Sequence, residues 1–339
     1  MGSRPETFAP RTDRVVGRQH EVEAIREALT DPAGRSHVLY FVGEGGIGKT
    51  RLLEEASRQA AEVEQTLLVG ELLDMYHSDL RSAEGLEAAV ADALDPDNQH
   101  FQRYREERHR FEERRQAGVS PKTLEPARRE LREIFLTDYN RLARQRRILL
   151  RFDTLELLRY ERDAVQDACG IQQETAEARA WLLEMLPRLE NSVDLLAGRP
   201  PAPLKDELKA HTDENLAFRV FELNGLTREE SLDYFAKMAE REPSLKRIPD
   251  QVRHRVWEYT EGRPIRLSLA IDLVLHGQDI ADLFPPRPDS ALDSDQPSID
   301  ERLVGELLRL PSPARDVLHY LILARRGLNA ELLDHLEPD

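Results

Sequence analysis

The chain has 339 residues, 40% of them apolar and 33% charged, with a formal net charge of -16. That length supports two or three structural units with real cores, and the acidic balance argues against general binding to nucleic acid or anionic membrane. No stretch approaches the roughly 18 apolar residues of a membrane span. The single cysteine, Cys169, excludes a disulfide framework or a Cys-based metal site within one chain and reads as a free thiol.

Residues 1–13, MGSRPETFAPRTD, lack an apolar signal core; they read as a disordered leader, and the chain is expected in the cytoplasm. In RVVGRQHEVEAIREAL (14–29), Val16, Val22, Ile25 and Leu29 form a helical stripe. An apolar run over 37–42 ends at glycine and predicts a buried strand, followed by a helix over 49–62. TLLVG (66–70) predicts a second strand. A long, mostly helical stretch covers about 82–147, broken near LDPDNQH and GVSPKT. Within it, residues 101–147 carry 14 Lys/Arg against 8 Asp/Glu, whereas the rest of the chain carries 34 against 56. The mixed signs at helical spacing read as a solvated helix with i,i+4 pairs, a docking surface for an acidic partner being the alternative. ILLRFD (148–153) predicts a third strand, WLLEMLPRLE a helix, SVDLLAGRPP (192–201) a fourth strand with its loop, and AFRVFELNGLT (217–227) a fifth. Strands separated by helices imply a parallel sheet covered on both faces. After 227 the pattern is helical. A Pro/Asp/Ser-rich linker follows at 284–298, and then three short helix candidates over 299–339, where the chain is expected to stop inside an incomplete third domain.

The chemistry concentrates in FVGEGGIGKTRLL (41–53). Gly43 to Thr50 fits G-x-x-x-x-G-K-[ST] between a predicted strand and a predicted helix. Glycines allow the turn and the close approach of a phosphate to inward backbone N–H groups, and the helix start adds its dipole. Gly43, Gly45, Gly46, Ile47, Gly48, Lys49, Thr50 and Arg51 are therefore the expected nucleotide contacts. Lys49 would reach the β- and γ-phosphates, and Thr50 would ligate Mg²⁺. Asp153, at the end of a buried strand, is the expected metal-associated acid. The next residue is Thr154, which cannot serve as a base. Glu156 is close enough to turn back and is the candidate for placing water, a plain helix-start glutamate being the alternative. Arg199, ending the fourth strand, is positioned to sense a γ-phosphate, or is an ordinary surface arginine.

Together these motifs resemble the STAND class of P-loop NTPases (signal transduction ATPases with numerous domains), which includes plant resistance proteins, apoptosome scaffolds, NACHT proteins, bacterial transcription activators and bacterial defence ATPases. The resemblance rests on Val16-Gly17-Arg18 before the P-loop, the P-loop itself, the Asp153 strand followed by LLAGR, and EGRPIRLSLA (261–270), similar to the family's G-x-P motif through Gly262 and Pro264. ELNGLTREESLDYF (222–235) looks like the family's passage from sheet to lid. The resemblance implies an α/β fold: a five-stranded parallel sheet in the order 5-1-4-3-2 over 14–227, with a helical insertion at 82–147. A helical lid would follow over 228–283, then the start of a winged helix over 299–339. It also implies that Val16 and Arg18 border an adenine and that Pro264 packs on it. Preference for ATP or ADP rests on this resemblance too, no guanine-reading N-K-x-D motif being evident.

The function implied is a regulatory ATPase switch with slow Mg²⁺-dependent hydrolysis, self-association with ATP, and an unidentified protein trigger or effector. The alternatives are a nucleotide-dependent scaffold with little hydrolysis and a transcription-regulator module; no membrane or nucleic-acid partner is expected for this chain. Three departures from the family stand out. Thr154 occupies the usual second acid's position. The family's winged-helix histidine has no counterpart, since His319 and His335 lie outside its motif. The 72–147 segment is long, and at its start Asp74, Asp79 and Arg81 read as loop polarity, contact with the site or a neighbouring subunit being the alternative.

Overall fold

The computed structural model describes residues 15–63, 66–68, 72–158, 171–275 and 284. The leader, residues 69 and 70 of the second expected strand, Cys169, the linker beyond Phe284 and the winged-helix region with His319 and His335 lie outside the described residues. The chain divides into two compact units, Arg18–Asn224 and one joining residues 15–17 to those from Gly225 onward.

The first unit is a parallel sheet with flanking helices. Its strands are β1 (Ser36–Val42), β2 (Thr66–Leu68), β3 (Leu73–Asp74), β4 (Arg147–Asp153), β5 (Ser192–Gly198) and β6 (Leu216–Glu222). They run β2-β4-β5-β1-β6, and β3 also pairs with β4. Residues 66–68 pair with 147–149, and Leu73 and Asp74 pair with Phe152 and Asp153, so β2 and β3 are two pieces of one edge lane. The six strands thus occupy five lanes, in the expected order. Every residue of β1, β4 and β5 is buried, as continuous apolar runs require when both sheet faces are covered.

The helices of this unit are α1 (Gln19–Leu29), α2 (Lys49–Glu62), α3 (Ala83–Leu94), α4 (Gln102–Gln116), α5 (Pro121–Ala143), α6 (Ile171–Met185) and α7 (Lys205–Ala210). Val38, Tyr40 and Val42 of β1 join Ile148, Leu150 and Phe152 of β4 in one buried cluster with α3, α5 and α6. Period-2 alternation sends Leu39 and Phe41 to the other face. The long segment before β4 is therefore not a loose excursion. Its helices form a layer on the sheet, tied by ring contacts from Phe101 and Tyr104 through Phe135 to Trp181 and on to Phe152. On α4, only Tyr104 and Phe111 are buried, and the rest of that helix carries its charges outward.

The second unit contains α8 (Arg228–Arg241), α9 (Asp250–Thr260) and α10 (Pro264–Leu275). Thr227 and Glu230 form a reciprocal capping box that starts α8, with bonds of 2.7 and 3.2 Å. Leu226, Phe235, Met238, Val256, Leu267 and Ile271 are among its core residues. The α9–α10 turn packs backbone against backbone. Gly262 has φ of +64°, and a Cβ on it would lie 2.0 Å from the Leu226 carbonyl oxygen; one on Gly225 would lie 1.9 Å from the Glu261 carbonyl oxygen. The Leu226 N–H donates to the Gly262 carbonyl at 2.8 Å. Gly262→Ala is therefore expected to destabilise this unit by about 2 kcal/mol or more, since it adds left-handed strain to a backbone clash. Chemical unfolding followed by circular dichroism checks this; an unchanged midpoint would show that the turn can open at no cost.

Candidate functional site

β1 ends at Val42, whose carbonyl accepts from the Leu223 N–H at 2.7 Å, while the Gly43 N–H donates to the Gly198 carbonyl at 3.2 Å. The chain then turns through Gly43–Gly48 into α2. Gly48 precedes that helix with φ of +102°, open only to glycine, and the first turn of α2 contains no acidic residue. The loop thus presents a helix N-terminus with its dipole unopposed, an anion-binding arrangement. Gly43, Gly45, Gly46 and Ile47 build the loop wall, with Ile47 buried.

Lys49 lies back across the loop. Its Nζ donates to the carbonyls of Gly43 at 2.7 Å and Glu44 at 3.0 Å. Burial pushes its pKa below the usual lysine range, while the carboxylates of Glu156 and Asp153 pull it up and Arg199 pulls it down. Thr50 Oγ1 donates to Asp153 Oδ2 at 2.7 Å, which brings together the two residues expected to hold Mg²⁺. Burial raises the Asp153 pKa; hydrogen bonds from Thr50 and the Thr154 N–H oppose this. A hydroxyl beside a carboxylate is a hard-oxygen donor set, which fits a Mg²⁺ ion shared with phosphate oxygens.

Thr154 adopts φ of +63°, an outlier for a β-branched residue. Its N–H donates to Asp153 Oδ1 at 2.8 Å. Past this turn, the short 3-10 segment Leu155–Leu158 carries Glu156. Both oxygens of Glu156 meet Arg199: Oε1 lies 3.0 Å from Nε, and Oε2 accepts from the backbone N–H at 3.2 Å. The same guanidinium approaches the P-loop so closely that a Cβ on Gly45 would lie 3.2 Å from Nη2. Arg199 therefore bridges the phosphate loop and the candidate water-placing acid.

Other expected contacts sit differently. Arg51 turns away to Glu54, 2.5 Å from its Oε2. Arg18 donates to the carbonyls of Ile47, at 3.2 Å, and Asn224, clamping the P-loop to the end of β6. No local pattern around Arg18 signals that clamp. Val16, buried, and Pro264, the first residue of α10, belong to the second unit. Of the residues after the second expected strand, Asp74 pairs in register with Asp153. Arg81 instead donates to the Met75 and Tyr76 carbonyls, both at 2.9 Å. Asp79 lies on the exposed rim of a separate cavity of about 740 Å³, lined also by Leu73, Leu80 and Ala88.

No helix among the described residues is long and apolar enough to cross a membrane. No curated protein matches the chain. Among solved structures, the chain is similar to a STAND protein with a tetratricopeptide repeat sensor from Pyrococcus horikoshii, at 17% identity and a TM-score of 0.49. That match covers 97% of this chain but 38% of that one, so the chain spans well under half of that protein's length. It is also similar to the ORC2 protein of Aeropyrum pernix in its ADP form (16% identity, TM-score 0.46, 97% of this chain and 80% of that one). A further match is domain III of the replication initiation protein DnaA from Thermotoga maritima (16%, 0.42, 92% and 100%). A family model described as the AAA ATPase domain matches residues 14–329. With that match over nearly the whole chain, and a P-loop set between β1 and α2 of a parallel sheet, the chain belongs to the AAA ATPase domain family of P-loop nucleotide-binding proteins.

Proposed function

We propose that the chain is a regulatory ATP switch of the STAND type, acting in the cytoplasm in signalling or defence. ADP holds it closed, and ATP opens it and permits self-association. The observation that carries this reading is the position of Arg199, with Glu156 Oε1 at 3.0 Å on one side and the Gly45 backbone close on the other. A γ-phosphate competes with Glu156 for the guanidinium. When Arg199 turns to that phosphate, Glu156 is released to orient a water. The water oxygen bonds to the γ-phosphorus, the bond to the β–γ bridging oxygen breaks, and the water proton passes to Glu156 and then to solvent. Lys49 neutralises charge on the β- and γ-oxygens. Thr50 and Asp153 would hold Mg²⁺, which neutralises further charge on the same oxygens. Arg18 remains a proposed adenine contact.

The first test is to purify the protein without added nucleotide, denature it and identify what is released. Stoichiometric ADP supports the closed switch, and an empty protein overturns it. Glu156→Gln is expected to lower kcat for ATP about 100-fold with nucleotide affinity unchanged within about threefold; an unchanged kcat removes Glu156 from the chemistry. A second reading, a nucleotide-dependent scaffold with little turnover, draws on Thr154 in place of an acid and on the engagement of both Glu156 oxygens by Arg199. Steady-state turnover of the wild type separates the two readings.

A further inference from the structure

Residues from three elements converge at the C-terminal end of β4. Thr50 comes from α2, Asp153 from β4 and Asp74 from β3. Asp74 and Asp153 are Cα partners in a parallel pair, so their side chains leave the same face of the sheet. The register is held beyond the strand by the Met75 N–H, which donates to the Asp153 carbonyl at 3.2 Å.

The turn after β3 holds Asp74 in place. The Tyr76 N–H donates to Asp74 Oδ1 at 3.0 Å. Arg81 reaches back to tie the Met75 and Tyr76 carbonyls. Two carboxylates side by side repel unless a cation lies against both. The neighbours of Asp153 in sequence do not supply this second charge: Thr154 is not an acid, and Glu156 is held by Arg199.

We propose that Asp74 is the second carboxylate toward the divalent cation, supplied from the neighbouring strand beside Asp153. Mg²⁺ keeps several waters and is bound through one or two carboxylates together with substrate phosphates. Asp74 acts as a positioning residue that holds a cation-bound water, while Thr50 and Asp153 face the same ion. The inference rests on the nucleotide reading above.

The test uses Mn²⁺ as the probe, titrated by electron paramagnetic resonance into the full chain with ADP. Asp74→Asn keeps an acceptor for the Tyr76 N–H but loses the charge; Asp74→Ser, a smaller acceptor, is the second variant. Both are expected to weaken Mn²⁺ affinity about 10-fold, the size of loss typical for groups that support a metal from outside its direct ligands. ADP affinity in excess chelator should stay within about twofold of wild type. Mn²⁺ affinity unchanged in both variants overturns the assignment while leaving the nucleotide reading standing. A wild type that binds no ADP overturns that reading and this inference with it.

Discussion

Lys49→Ala is expected to lower the affinity of the chain for ADP and ATP by about 10- to 100-fold, because one charge-assisted contact to phosphate is worth about 1.5–3 kcal/mol and each 1.4 kcal/mol is tenfold. The side chain is buried, and its ammonium is held by the Gly43 and Glu44 carbonyls at 2.7 and 3.0 Å. Its placement over the loop is thus settled by the fold, and little side-chain entropy remains to be lost on binding. Arg51 provides the contrast within the same turn of α2. It points to Glu54, so Arg51→Ala should change affinity by less than about threefold. Titration with a fluorescent ADP analogue measures both. Equal affinities for wild type and Lys49→Ala would detach the loop from nucleotide binding, whatever its spacing.

The parts of this molecule written in local pattern were legible. β1 and β4 are apolar runs that end at Gly43 and Asp153. The helix over 49–62 coincides with α2, and the breaks near LDPDNQH and GVSPKT separate α3, α4 and α5. What was not legible depends on partners far along the chain. β3 has two residues, too few for any period, and exists because Leu73 and Asp74 find Phe152 and Asp153. The closeness of Asp74 to Asp153 is a fact of register, which no spacing within LLDMYHSDLRS encodes. Likewise Gly225 falls within the fifth strand expected over 217–227, whereas that strand ends at Glu222 and a Cβ on Gly225 would collide with the Glu261 carbonyl. The division between the two compact units falls at Asn224–Gly225. The engagement of Glu156 by Arg199 also depends on a tertiary approach of β4 to β5, prepared by the positive φ of Thr154.

Stability should fall as pH rises from about 4 to about 7, and Asp194 is a principal cause. This β5 carboxyl is fully enclosed by the sheet and α5. It accepts from Ser192 Oγ at 2.8 Å, and Ser192 Oγ also meets Tyr139 Oη at 3.0 Å. Burial pushes its pKa up to about 7, against opposing pulls from the Ser192 hydrogen bond and the Arg147 charge. Between the ordinary aspartate value and about 7 the folded chain keeps a proton that the unfolded chain has lost. Unfolding then releases a proton, so rising pH favours the unfolded state until the folded carboxyl itself ionises. The shift of roughly three units corresponds to about 4 kcal/mol, present at pH 4 and gone above pH 7. Asp194→Asn keeps the acceptor for Ser192 and carries no charge. The variant should match wild type near pH 4 and exceed it by up to about 4 kcal/mol at pH 8. His37 works in the opposite sense. Burial lowers its pKa, so its contribution grows as pH rises toward the usual histidine value, and it cancels in the comparison of variant with wild type. Glu87, raised to about 8 by burial against the opposing pulls of Arg132 and Trp181, adds a similar loss at slightly higher pH and is also common to both proteins. Urea unfolding of the pair at pH 5 and pH 8 isolates Asp194, and a difference that stays constant across that range would show that the carboxyl is ionised throughout.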